Sequence, residues 1–154
     1  MIVRKLQQNL IELSDDWSVI SVTGPRQSGK TTLCKMAFPD YEYINLERQN
    51  TQRRMKQDAE SFLRQCTKGA IIDEAQLVPE VFSAIQVLVD ENPSLRFVLS
   101  GSSDFLLNAL LRCVFCKQLF INDLSNAAAK AVFMVIREKA PTFASSENNK
   151  NKAL

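Results

Sequence analysis

The residues best suited to chemistry lie in one loop near the N-terminus. The stretch VTGPRQSGKTTL, residues 22–33, places two of the chain's four glycines five positions apart and follows the second with a lysine and two threonines. Residues 24–31 fit the pattern G-x-x-x-x-G-K-[ST] without a mismatch. Glycines let bare backbone amides approach phosphate oxygens, and the lysine adds a mobile positive charge. The pattern predicts a polyphosphate-binding loop that opens a helix.

Each position in this loop has an expected role. Lys30 is expected to reach the β and γ phosphates of a nucleotide, the Thr31 hydroxyl to ligate Mg²⁺, and Thr32 to lie near the α phosphate. The alternative is an ordinary turn with a surface lysine. The predicted binding residues are Gly24, Pro25, Arg26, Gln27, Ser28, Gly29, Lys30, Thr31 and Thr32.

An apolar run that ends in two acids supplies the second half of such a site. In AIIDE, residues 70–74, Asp73 is expected to hold Mg²⁺ through water, and Glu74 to orient or deprotonate the water that attacks the γ phosphate. We call Asp73 and Glu74 the acid pair. The pair predicts hydrolysis rather than binding alone. The alternative is two solvated acids that cap the next segment.

Hydroxyl groups follow another apolar run, residues 97–99. Ser100, Ser102 and Ser103 are expected to lie near the γ phosphate if this strand lies between the strand before the glycine loop and the strand before the acid pair. One of them would then sense the phosphate or position the water. A simple turn is the alternative.

Short apolar runs alternate with helical stripes along the chain. The runs predict strands at 19–22, 41–46, 70–72 and 97–99, and the stripes predict helices at 3–13, 30–37, 51–65 and 79–92. This alternation is typical of a three-layer α/β domain with a mostly parallel sheet. Later segments are less periodic: residues 127–131 favour a helix, and 132–136 either its continuation or a fifth strand.

Composition narrows the class of protein. The 154 residues are the usual size of one domain, and a net charge of +2 leaves nucleic acid an unsupported partner. The N-terminus does not read as a secretory signal and no stretch is apolar enough for a membrane span, so we expect a cytoplasmic protein with no membrane partner.

The four cysteines are expected to be reduced thiols. Cys113 and Cys116 form C-x-x-C, but a zinc site would need Cys34 and Cys66 to converge on them, because the chain has no histidine. Trp17 and Tyr43 are interpreted as packing residues.

Four motifs carry a family resemblance. GPRQSGKTTL, YINLE, IIDEAQ and LSGSSDFLL, in this order, resemble the ATPase domain of prokaryotic AAA-type proteins that pair it with a C-terminal nuclease-like domain of unknown function. The resemblance covers about residues 1–108. It implies a P-loop NTPase fold with Walker A and Walker B motifs, ATP and Mg²⁺ as ligands, a P-loop strand flanked by the fourth strand, and Ser100 as polar sensor.

The chain departs from that family after Leu107. Members continue into a strand with a Gly-Arg pair, whereas here NALLRCVFCKQLF follows, and Arg112 is not in an equivalent context. We therefore expect an ATPase domain at 1–108, incomplete at its C-terminus, a divergent extension at 109–144 packing on or near it, and a disordered tail at 145–154.

The combined hypothesis is a Mg²⁺-dependent ATPase of AAA-like type that couples its nucleotide state to a protein partner or to further copies of itself. Its catalytic residues would be Glu74, Lys30 and Ser100, and its metal residues Thr31 and Asp73. The alternative is a truncated or degenerate module that binds nucleotide with little hydrolysis. A small-molecule phosphotransferase is disfavoured because residues 79–93 contain no arginine for a lid, and an exporter-type ATPase because there is no LSGGQ-like signature.

Overall fold

The computed structural model describes residues 2–101, 116–120 and 132–134. The chain forms α1 (Ile2–Asp16), β1 (Val19–Thr23), α2 (Lys30–Ala37), β2 (Glu42–Asn45), α3 (Gln49–Gln57), α4 (Ala59–Leu63), β3 (Gly69–Asp73), a 3₁₀ turn (Ala75–Leu77), α5 (Glu80–Glu91), β4 (Arg96–Gly101), β5 (Cys116–Phe120) and β6 (Val132–Met134). The predicted α/β class is confirmed.

The six strands in the described residues form a single sheet in the order β2-β3-β4-β1-β5-β6. Every neighbouring pair is parallel except β5 and β6, which run antiparallel. Strand β4 therefore lies between β1 and β3. This is the strand order under which Ser100 was expected to lie near the γ phosphate. The carboxyl ends of the parallel strands meet at one edge of the sheet, where open α/β sheets bind ligands.

Two apolar clusters cover the two faces of the sheet. Alternate residues of the central strands point to opposite faces, so Phe97 and Leu99 of β4 join one cluster and Val98 joins the other. The first cluster packs against α3, α4 and α5, and the second against α1 and α2. This arrangement gives the predicted three layers, and it fixes the strand ends from both sides.

One predicted helix is wrong in its extent. The stripe over residues 51–65 predicts one helix, but the structure contains α3 and α4, separated at Asp58. Asp58 has non-helical backbone angles, with φ −159° and ψ 85°, and its carboxylate accepts a hydrogen bond of 2.9 Å from the backbone N–H of Ser61. Aspartate favours this capping position over a helix interior, so it ends one helix and begins the next.

The later part of the chain extends the sheet. Of the two readings of residues 132–136, the strand is the one observed, at Val132–Met134. Residues 116–120 form β5, in a region where no strand was predicted, and β5 pairs with β1 in register from Val19 to Thr23. The predicted helix at 127–131, the predicted tail at 145–154, Ser102, Ser103 and Cys113 lie outside the described residues.

Candidate functional site

The loop of residues 24–29 joins β1 to α2 and is held in an unusual backbone conformation. Gly29 has φ 84° and is the N-cap of α2, and Gln27 also has a positive φ of 61°. Glycine adopts this left-handed region without a steric penalty, which accounts for Gly29 at the turn into the helix. Among the residues that the structure describes, no side chain caps the start of α2, so its first N–H groups are available to a ligand.

Lys30 is buried and turned back on the loop. Its Nζ donates hydrogen bonds to the carbonyl oxygens of Gly24 at 2.9 Å and Pro25 at 2.6 Å, and to Ser28 Oγ at 3.5 Å. Burial lowers the pKa of Lys30, while the negative charges of the acid pair oppose that shift. The loop thus surrounds the Lys30 ammonium group, which is hydrogen-bonded to uncharged oxygen atoms of the loop.

Asp73 at the end of β3 is the centre of the polar network. Its Oδ2 accepts from Thr31 Oγ1 at 2.8 Å and from the Tyr43 hydroxyl at 2.7 Å. Its Oδ1 accepts from the Ser100 hydroxyl and, at 3.1 Å, from the backbone N–H of Glu74. Burial acts to raise the pKa of Asp73, but the hydrogen bonds from Ser100, Tyr43, Thr31 and the Glu74 N–H lower it below its usual value. The carboxylate is therefore ionised at neutral pH.

The strand registers explain why these groups meet. Asp73 is paired with Ser100 across β3 and β4, and Ser100 is paired in turn with Val22 at the end of β1. The glycine loop and the acid pair thus leave the same edge of the sheet on either side of β4. The hydrogen bond from Thr31 to Asp73 joins residues 42 positions apart in the chain.

Glu74 also has a strained backbone. Its φ of 55° and ψ of 44° place it in the left-handed region, which costs a non-glycine residue about 1 kcal/mol or more. Its carboxylate accepts a hydrogen bond from the Gln76 side-chain amide. The strained turn directs the chain out of β3 and leaves the Glu74 side chain beside the loop.

A cavity of about 550 Å³ lies where these elements meet. Eight predicted residues line it together with Glu47: Arg26, Gln27, Gly29, Lys30, Thr31, Thr32, Asp73 and Glu74. The other predicted residues contact residues that line the cavity. Gly24, Pro25 and Ser28 bind the Lys30 ammonium, and Ser100 is fully buried against Asp73.

Sequence reasoning missed two residues of this site. The packing role predicted for Tyr43 is wrong, because the residue is 36% exposed and its hydroxyl donates a hydrogen bond to Asp73. Glu47 lines the cavity and pairs with Arg26 at 3.5 Å. Both belong to YINLE, and the usable signal was that β2 ends at the same edge of the sheet as β3. The packing role of Trp17 is confirmed, since it packs on the second apolar cluster.

The cysteines do not assemble into a metal site within the described part of the chain. Cys34 and Cys66 are free, buried, and members of the apolar clusters on opposite faces of the sheet. Burial raises the pKa of each thiol to about 12. Residues 2–101, 116–120 and 132–134 contain no group of three or more metal-ligating side chains.

The residues at the cavity suit a nucleotide with Mg²⁺. Uncapped amides at a helix start and the nearby Lys30 ammonium match a polyphosphate, and a threonine hydroxyl beside an ionised carboxylate matches the oxygen ligands that Mg²⁺ prefers. The described helices include none with the length and apolar character of a membrane span.

Sequence similarity connects the chain to known proteins. Residues 16–114 match a family model described as an AAA domain. An uncharacterized protein of Mycobacterium bovis and one of Mycobacterium tuberculosis are each 34% identical to the chain over 88 residues, which is 55% of this chain and 20% of each relative. The match thus spans about a fifth of the length of these relatives. The chain belongs to the AAA domain family, which indicates a nucleotide-binding, ATPase-like function.

Proposed function

We propose that the protein is a Mg²⁺-dependent ATPase that couples its nucleotide state to a protein partner or to further copies of itself. The observation that carries the proposal is the hydrogen bond of 2.8 Å between Thr31 and Asp73, because it joins the phosphate loop to the acid pair beside one cavity. A cytoplasmic location and the domain limits at residues 108 and 144 stay predictions from the sequence.

In the proposed reaction, Lys30 exchanges its loop carbonyls for phosphate oxygens. The α2 amides and Thr32 hold the rest of the polyphosphate, and Thr31 and Asp73 hold Mg²⁺. The ion, when bound, neutralises charge that develops on the phosphates. Glu74 orients the attacking water and takes its proton. Ser100 acts as a sensor by fixing the orientation of the Asp73 carboxylate, to which it donates.

A second candidate, a module that binds nucleotide with little hydrolysis, has support from one contact. Arg26 is the arginine among the residues that line the described cavity, and it is paired with Glu47. AAA-type hydrolysis commonly needs an arginine that stabilises the transferring phosphoryl group. An arginine held by a carboxylate cannot serve that role until the pair opens.

The two candidates separate in one experiment. We expect the purified chain to hydrolyse ATP with Mg²⁺, and Glu74→Gln to lower turnover about 10²- to 10⁴-fold while ATP binding persists. Glu80→Gln is the matched control, because Glu80 is exposed in α5 and does not line the cavity. Turnover measured over a range of protein concentrations reports dependence on assembly. ATP binding without turnover above the Glu74→Gln level would favour the second candidate, and absence of ATP binding would refute both.

A further inference from the structure

Tyr43 is a site residue to which the sequence motifs assigned no chemical role. Its hydroxyl is 2.7 Å from Asp73 Oδ2, on the carboxylate oxygen that also accepts from Thr31. It belongs to β2, at one end of the strand order. Its ring is covered by the Lys35 ammonium, 3.5 Å from the ring centroid. The tyrosine thus reaches from an exposed strand to the predicted metal residue.

The Asp73 carboxylate has no unused acceptor position. A carboxylate offers about four lone-pair sites, and four donors are in place: the hydroxyls of Thr31, Tyr43 and Ser100, and the Glu74 N–H. Resting on the proposed function, Asp73 can serve Mg²⁺, directly or through water, only if one donor leaves.

The four donors differ in how easily they can leave. Ser100 is fully buried in β4, and the Glu74 N–H is part of the backbone turn that follows β3. Thr31 is itself a predicted metal residue. Tyr43 is the most exposed of the four donor residues, and water can satisfy its hydroxyl once it moves. Of the four hydrogen bonds to Asp73, the one from Tyr43 therefore costs the least free energy to break.

We propose that the Tyr43 hydroxyl occupies the metal-facing position on Asp73 and is displaced when Mg²⁺ binds with nucleotide. Tyr43 is thus a positioning residue that competes with the ion for Asp73. Its displacement changes an exposed residue of β2, so the presence of Mg²⁺ at the site alters the protein surface.

The first test compares nucleotide affinity with and without the ion. Calorimetric titrations use AMPPNP, a non-hydrolysable ATP analogue, against the full chain in excess Mg²⁺ or in EDTA. Removing the competing hydroxyl in Tyr43→Phe should raise the ratio of Mg²⁺ affinity to EDTA affinity roughly 5- to 50-fold, as expected for one partly exposed hydrogen bond to a carboxylate. Affinity in EDTA should not change. Tyr41→Phe is the control, because the Tyr41 ring stacks on Phe38 and should leave the ratio unchanged.

A second measurement keeps Tyr43 intact. The chain has two tyrosines, so Tyr41→Phe protein grown with 3-fluorotyrosine carries one fluorine label, at Tyr43. We expect its ¹⁹F resonance to shift when AMPPNP and Mg²⁺ are added together and to stay in place with AMPPNP and EDTA.

The outcomes separate this inference from the proposed function. An unchanged or smaller affinity ratio in Tyr43→Phe, with AMPPNP bound normally by the wild-type chain, overturns the displacement of Tyr43, as does a ¹⁹F resonance indifferent to Mg²⁺. Failure of the wild-type chain to bind AMPPNP in either condition refutes the proposed function itself, and the inference with it.

Discussion

Replacing Asp73 with asparagine tests the polar network most directly. The substitution keeps the shape of the side chain but removes the charge that four donors face. It also turns an acceptor oxygen into an amide group, so a hydroxyl from Thr31, Tyr43 or Ser100 must rotate to accept instead of donate. We expect Asp73→Asn to destabilise the protein at neutral pH even before any ligand is considered.

The expected loss follows from the kinds of hydrogen bond involved. Bonds to a charged group contribute about 1.5–3 kcal/mol and those between neutral groups about 0.5–1.5 kcal/mol, so each of the four bonds weakens by about 1 kcal/mol. Relief of the burial cost of the charge offsets part of this sum. We expect a net loss of about 1–3 kcal/mol, or a melting temperature lower by about 2–10 °C for a chain of this size.

The stability difference between wild type and Asp73→Asn should depend on pH. The pKa of Asp73 is lower in the folded protein than the value of 3.8 expected when unfolded. A carboxyl group of this kind stabilises the fold above its unfolded pKa, and that stabilisation is lost as the pH falls through the folded pKa. The difference in stability between wild type and Asp73→Asn should therefore be full at neutral pH and shrink below about pH 4.

Urea denaturation followed by circular dichroism at neutral and acidic pH measures both quantities. Asp90→Asn is the control, because Asp90 is exposed in α5. A variant as stable as wild type at neutral pH, or a difference that grows on acidification, would refute the conclusion that hydrogen bonding outweighs burial at Asp73.

Two further substitutions test the strands and helices that position the site. Gly69→Ala should lower the free energy of unfolding by about 1–3 kcal/mol in thermal or urea melts, because its Cβ would lie 2.3 Å from the Arg96 carbonyl oxygen of the adjacent strand. An unchanged stability would show that β3 and β4 lie farther apart at this point. Asp58→Ala should lower the melting temperature by removing the α4 cap, whereas Asp58→Asn should leave it nearly unchanged. Equal losses in both would contradict the capping role of Asp58.

Local patterns predicted most of the elements that carry the site. The glycine loop between a strand and a helix, and the apolar run before the acid pair, are contiguous in sequence, and each was found at its predicted place. The break at Asp58 was missed because the apolar stripe continues from Met55 to Leu63 on one side, and periodicity alone does not register a cap.

The features that were not predicted depend on which strands become neighbours in the sheet. The contact of Tyr43 with Asp73 arises from the pairing of β2 with β3, across 30 positions of chain. Strand β5 has no clear period, and its place beside β1 is a property of the whole sheet. Pairings between distant segments leave no local trace in a single sequence, because they reflect the packing of both faces at once.

The contacts of Lys30 have a consequence for selectivity. Its ammonium is already bound to the oxygens of Gly24 and Pro25, so an arriving anion must outcompete two carbonyl groups. A chloride ion offers one charge and no second point of attachment, whereas the proposed polyphosphate ligand would also engage the amides at the start of α2. On the proposed function, these internal ligands favour an anion with several points of attachment over a small monovalent anion.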